Sequence, residues 1–174
     1  MSNSLLSLLP AGLAVERVVV HPDRVVVAVR ARAATAPCPL CRRRSRHVHS
    51  RYTRCLGDLP WQGRIGQLEL QVRRFRCSAP RCPRRIFAER LPEVTLPRLR
   101  RTVRLAEAQR RIALHAGGES GARLANRLAM PVSGDTLLRL IRAAPLPVAP
   151  SPRVVGIDDW AWRRGRRYGT LIVD

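Results

Sequence analysis

The sequence predicts an α+β protein in which strands and a cysteine-rich module come first, helices follow, and two further strands close the chain. Three observations carry that expectation. Valine-rich runs flank turn residues before position 31, two cysteine pairs bracket a segment of alternating polarity at 65–76, and apolar residues beyond Pro97 recur at helical spacing. At 174 residues and 45% apolar composition, one or two ordinary domains suffice, with no single core required to run throughout.

The first 36 residues read as a short apolar helix or tail followed by a β-hairpin. Its strands are the runs 14–20 and 24–31, joined by the turn chemistry of His21, Pro22 and Asp23. An Ala-Thr-Ala-Pro stretch then connects to the first cysteine pair, Cys38 and Cys41, spaced C-x2-C. A basic loop through Arg54 and a loop at Leu56 to Pro60 are expected next. In the following strand Leu68, Leu70 and Val72 alternate with Glu69, Gln71 and Arg73, the period of a half-buried strand. Cys77 and Cys82, spaced C-x4-C, follow directly.

Each cysteine pair can form a tight knuckle with both sulfurs on one side, and two facing knuckles complete a tetrahedral S4 site for structural Zn2+. The thirty-five residues between the pairs suit a zinc ribbon, in which a hairpin separates the knuckles. A disulfide framework is disfavoured because nothing suggests secretion and a fifth cysteine would be left over. Cys55 lacks a partner at knuckle spacing and reads as a plain thiol. His47 and His49 sit in an arginine-rich loop and read as surface or phosphate contacts. Four thiolates saturate the ion, so the metal staples a small domain and does no chemistry.

Charge is the strongest global signal. The chain carries 33 basic residues against 12 acidic, net +21, and every basic residue is arginine. Between Cys38 and Arg104 lie 18 arginines and four acids, Asp58, Glu69, Glu89 and Glu93. Nucleotide bias in a genome explains arginine in place of lysine, but not the excess of basic over acidic residues. A field of this sign gathers polyanions, and the guanidinium fork grips phosphate oxygens in pairs, so double-stranded DNA is the expected partner. Arg42, Arg43, Arg44, Arg46, Arg73 and Arg74 are the ribbon's candidates for contacting it. An anionic membrane is a poorer fit, because no amphipathic helix with a bulky apolar face accompanies the arginines. No apolar span of transmembrane length and no export signal is evident, so a soluble, cytoplasmic protein is expected.

Beyond Pro97 the period becomes helical. Val103, Leu105, Ala106, Ile112 and Ala113 define one face of a helix ending near Gly117-Gly118. A second helix from about Glu119 to Leu128 should turn Ala122, Leu124, Ala125 and Leu128 inward. Met130, Pro131 and Val132 break it, and Ser133 is placed to cap a third helix through Arg142. The length and break match a helix-turn-helix whose third helix reads DNA through Arg139 and Arg142, with Asp135 and Thr136 also exposed. Four prolines in Ala144 to Pro152 mark an extended linker. After it, 153–159 and 167–173 read as two strands. The expected division is thus 1–36 hairpin, 37–97 zinc ribbon, 98–143 helix-turn-helix region, 144–152 linker and 153–174 a final β-hairpin.

Three segments together resemble the ISL3 family of insertion-sequence transposases. They are the cysteine module with Arg51-Tyr52-Thr53-Arg54, Asp58-Leu59-Pro60 and Val72-Arg73-Arg74-Phe75-Arg76-Cys77; the helical stretch 102–142; and Val155-Gly156-Ile157-Asp158-Asp159-Trp160-Ala161-Trp162 with Tyr168-Gly169-Thr170. The resemblance implies that residues 153–174 open an RNase H-like catalytic domain whose acidic triad holds divalent metal, usually Mg2+, for DNA cleavage and joining. It places the first acid at Asp158. The sequence stops at Asp174, so the later acids are missing and Asp158 alone is expected to be inactive, Mg2+ belonging only to a complete domain. The expected function is a truncated transposase's recognition of the element's terminal repeats, with a homodimer left open. The alternative is a stand-alone zinc-ribbon and helix-turn-helix regulator.

Overall fold

The structure is a computed structural model that describes residues 9–145, 154–163, 165 and 167–173. The apolar start up to Leu8 and the linker from 146 to 152 lie outside the described residues. The chain divides into two compact bodies at Ala144.

In the first body, β1 (Leu13–Val20) and β2 (Arg24–Ala31) form the expected hairpin. Two short strands, β3 (Ala36–Pro37) and β4 (Arg44–Ser45), flank the first cysteine pair and are hydrogen-bonded to one another. Two long strands follow, β5 (Val48–Trp61) and β6 (Arg64–Arg76), joined by Gln62 and Gly63. Both linking residues have positive φ, 49° and 76°, as the tightest hairpin loops require. A short strand β7 (Ile86–Ala88) completes the sheet.

The main sheet runs β1-β2-β6-β5. β2 lies parallel to β6 along 65–71, and β7 pairs with Arg74 to Arg76 where β2 has ended. The N-terminal hairpin and the long β5–β6 hairpin therefore share one hydrogen-bonded sheet. The alternation read in 65–76 is present: Leu68, Leu70 and Val72 meet Val25, Val27, Val29 and Leu56 in the core, while Glu69 on the other face pairs with Arg17.

The expected loop at 56–60 is strand, as is most of the basic stretch before it. Gly57 and Pro60 signal a break, but pairing with β6 overrides them. A register shift between Asp58 and Trp61 absorbs the irregularity. The same place explains Gly66, where a Cβ would lie 2.0 Å from the Leu59 carbonyl oxygen.

Three helices follow: α1 (Val103–Ala116), α2 (Glu119–Arg127) and α3 (Gly134–Arg142). Thr102 caps α1 by accepting the Leu105 N–H, and Gly117 ends it at φ 71°. Ser133 caps α3 as expected, accepting the Thr136 N–H.

The inward faces differ from expectation. Leu124, Leu128 and Val103 are exposed, whereas Gln109 is fully buried. The reason is close approach: α2 packs through Gly121, Ala122 and Ala125, and a Cβ at Gly121 would come within 3.0 Å of Leu137 Cδ1. Small residues therefore occupy the contact and the leucines point out. Gln109 is tolerated inside because Arg101 donates to its Oε1 and its Nε2 donates to the Met130 carbonyl.

α1 is tied to β5. Gly57 N donates to the Arg100 carbonyl and Thr102 N to the Gly57 carbonyl, both at 2.9 Å. The wholly buried Asp58 carboxylate accepts from Thr102 Oγ1 at 2.7 Å and from Arg104 Nε at 2.7 Å. In the second body, β8 (Gly156–Arg163) and β9 (Arg167–Val173) pair antiparallel.

Candidate metal centre and nucleic-acid interface

The first knuckle starts where β3 ends. Cys38 N donates to the Arg43 carbonyl and Arg42 N to the Cys38 carbonyl, each at 2.9 Å, closing a turn that brings Cys41 back beside Cys38. The turn places Arg42 at φ 64°, a left-handed conformation that glycine adopts without strain. The second knuckle follows β6: Cys77 N donates to the Arg85 carbonyl at 2.9 Å and Cys82 N to the Ala79 carbonyl at 3.2 Å. The β5–β6 hairpin sets the two knuckles against each other.

All four sulfurs lie within 4.8 Å of one another. Cys38 Sγ is 4.0 Å from Cys82 Sγ, and Cys41 Sγ is 3.6 Å from Cys77 Sγ. These separations are far beyond a disulfide's S–S bond of about 2.05 Å. They agree with the S···S edge of about 3.8 Å in a tetrahedron with Zn–S bonds of about 2.3 Å. The residues therefore fit a structural zinc ion. Cys38 and Cys82 are buried with Ala36, and with Phe75 and Phe87 stacked at 5.9 Å, in a small core of the ribbon's own.

The thiols perturb one another. At Cys38, burial pushes the pKa up, but the Cys41 and Leu40 amides and the neighbouring thiols outweigh it and bring the pKa down to about 7. At Cys77 the Ala79 amide pulls down, but burial and the three nearby thiols together push it up to about 11. Burial is the chief cause of the upward shift at Cys82. The upward shifts at Cys77 and Cys82 favour their neutral thiols, so holding all four sulfurs as thiolates would take a cation among them.

Cys55 is exposed on β5, opposite Glu69, and lies outside the cluster, as do His47 and His49. His49 Nδ1 lies 3.2 Å from Ser50 Oγ.

Arg42, Arg43, Arg44 and Arg46 are exposed around the first knuckle and β4. Arg44 donates to Thr35 Oγ1 at 2.9 Å. Arg74 is exposed, its guanidinium 4.8 Å from the centroid of the Tyr52 ring. Arg73 differs from these. Its side chain is 15% exposed and is held by Glu89, with Nη2 2.6 Å from Oε2 and Nε 3.1 Å from Oε1, and it donates to the Ala33 carbonyl at 2.7 Å. Arg139 and Arg142 are exposed on α3, with Arg139 Nε 3.4 Å from the Asp135 carbonyl. Asp158 is exposed on β8 in register with Leu171, while the adjacent Asp159 accepts from Thr170 Oγ1 at 2.9 Å.

The Asp58 and Glu89 ion pairs were not legible beforehand. Both acids stood in the sequence as minority charges in a basic region, and only the fold supplies the arginine each one meets.

A β-hairpin separating two cysteine knuckles that converge on one four-sulfur cluster is the arrangement of a zinc ribbon. Residues 34–84 match the ISL3 zinc-ribbon family model, described as the zinc-finger of transposase IS204/IS1001/IS1096/IS1165. The matched stretch holds both knuckles and the hairpin between them, so this segment is similar to the zinc ribbon of those transposases. No curated protein and no solved structure matches the chain.

Proposed function

We propose that this chain is the DNA-binding part of an ISL3-like transposase, recognising the terminal repeats of an insertion sequence in the cytoplasm. The observation that carries the reading is the four-cysteine cluster inside a segment matching that family's zinc ribbon, ringed by exposed arginines.

Cys38, Cys41, Cys77 and Cys82 would hold one zinc ion, which cross-links the two knuckles and leaves no coordination position open for catalysis. Arg42, Arg43, Arg44, Arg46 and Arg74 then present their guanidinium groups to phosphates, while Arg73 serves the ion pair with Glu89. We read α2, the break containing Met130 and Pro131, and α3 as a helix-turn-helix. In that reading α3 enters the major groove, with Arg139 and Arg142 towards base edges. The fixed link from β5 to α1 would let ribbon and helices act on one duplex together, a homodimer engaging two ends. We assign β8 and β9 to the opening of an RNase H-like domain, with Asp158 as its first acid. Strand transfer there would require further acidic ligands to hold Mg2+.

The test uses zinc-loaded protein and duplexes carrying either an element end or the same bases shuffled. Metal analysis should give one zinc per chain, unaffected by Cys55→Ser and lost on Cys77→Ser. Duplex binding should fall by roughly 10³ between 50 and 200 mM salt, as expected for six or more phosphate contacts. Zinc retained without Cys77, or affinity that scarcely responds to salt, would refute the proposal.

A further inference from the structure

Beside the zinc ribbon lies a groove of about 910 Å³, entirely within the first body and bounded by the first knuckle, β5, β7 and the irregular segment 89–100. Arg42, Arg54, Arg84, Arg90, Arg98 and Arg100 line it. Five of them, all but Arg54, are exposed and form no ion pair among the described residues. Elsewhere several of the scarce acids are used: Arg17, Arg24, Arg30, Arg110 and Arg111 each meet a carboxylate. The acid lining the groove, Glu89, is already neutralised by Arg73. Among the lining residues the positive charge therefore outweighs the negative, while Glu93 of the same segment is exposed but does not line the groove.

Its lining is also apolar. Leu91, Pro92, Leu96 and Pro97 line it with Tyr52, and Leu96 is 49% exposed despite its size. The 89–100 wall is held in place. Glu89 N donates to the Arg73 carbonyl at 2.9 Å, Thr95 Oγ1 to the Arg101 carbonyl at 2.9 Å, and Arg54 to the Leu99 carbonyl. A cationic rim over an apolar floor matches a ligand bearing phosphates along one edge and flat apolar faces along the other. A duplex offers the phosphates but keeps its base faces stacked inside. An unpaired strand offers both.

We propose that this groove binds a short unpaired DNA segment, roughly four nucleotides long, with phosphates on the arginines and bases against Tyr52, Leu96 and the prolines. The inference rests on the reading above only for the source of the strand, a transposon end whose strands have been opened.

The zinc-loaded full chain should be titrated with a labelled thymidine oligomer of roughly ten nucleotides, and separately with a blunt element-end duplex. The double variant Arg90→Ser/Arg100→Ser removes two exposed guanidinium groups that have no ion-pair partner, and Leu96→Asp puts a like charge on the floor. Both should weaken the oligomer at least about tenfold, and the double variant should lower its salt slope by about 1.4, at 0.7 per phosphate contact. Blunt-duplex affinity should stay within about twofold, the duplex being bound by other arginines. Oligomer affinity that is unchanged in both variants would overturn the groove assignment while leaving duplex recognition intact. Displacement by an oligoglutamate peptide better than by DNA of equal charge would assign the groove to an acidic protein segment and overturn it equally. Failure of the duplex to bind wild type would count against the DNA-end reading alone, since the oligomer arm still decides the groove.

Discussion

Asp58 is the residue on which the joining of sheet and helices turns. Its carboxylate has no solvent exposure and accepts from Thr102 and Arg104, while Arg104 is partly exposed. Asp58→Ala should therefore destabilise the protein by about 3 kcal/mol, the lower end of the range for breaking a buried pair. The midpoint of denaturant unfolding measures this, and a change below about 1 kcal/mol would mean that the clamp contributes no more than a surface pair. The four-cysteine cluster was legible from spacing alone because a knuckle is a local turn that places two sulfurs together irrespective of what surrounds it. Asp58 was not, because its partners are 44 and 46 residues away.

Among the elements, α1 carries a pH-dependent device. Glu107 accepts from Arg110 and Arg111, three and four residues on, and hydrogen bonding from Arg110 foremost brings its pKa down from 4.5 to about 2. A depressed folded-state pKa gives stability that is fully present above the unfolded value and lost as pH falls through the folded one. Glu107→Gln should accordingly melt below wild type at pH 6, with the difference shrinking from about pH 4.5 and vanishing near pH 2. A gap that is constant across that range would assign the effect to packing. For α3, replacing Arg139 and Arg142 with Ala should flatten preference for the element end over shuffled DNA more than it weakens nonspecific binding. Equal loss on both duplexes would make them phosphate contacts. The end of α1 and the start of α3 could be read from Gly117 and Ser133, whose capping chemistry is local. The exposure of Leu124 and Leu128 could not, since period alone does not say that Leu137 of α3 fills the space against α2 and leaves room there only for small residues.

At the scale of the whole molecule, the two cores of the sheet and ribbon differ in what they need. The sheet core of Val25, Val27, Val29, Leu56, Leu68, Leu70 and Val72 contains no cysteine, whereas the small core with Phe75 and Phe87 includes Cys38 and Cys82. Removing zinc with a strong chelator should therefore strip amide protection from 36–47 and 77–87 while β1, β2 and the 65–72 part of β6 stay protected in hydrogen exchange. Loss of protection throughout would mean that the metal organises the entire sheet. The sequence by itself determined the first hairpin, strand β6, the three helices, the four thiols and the excess of arginine, because turn chemistry, knuckle spacing, periodicity and net charge reside in neighbouring residues. Only the tertiary structure decided that the N-terminal hairpin joins the ribbon's sheet through a parallel β2–β6 pair, and that Arg73 faces Glu89 while Arg90, Arg98 and Arg100 line an open groove. Those outcomes depend on which distant backbone edges and side chains meet, and that is settled by packing, not by local pattern.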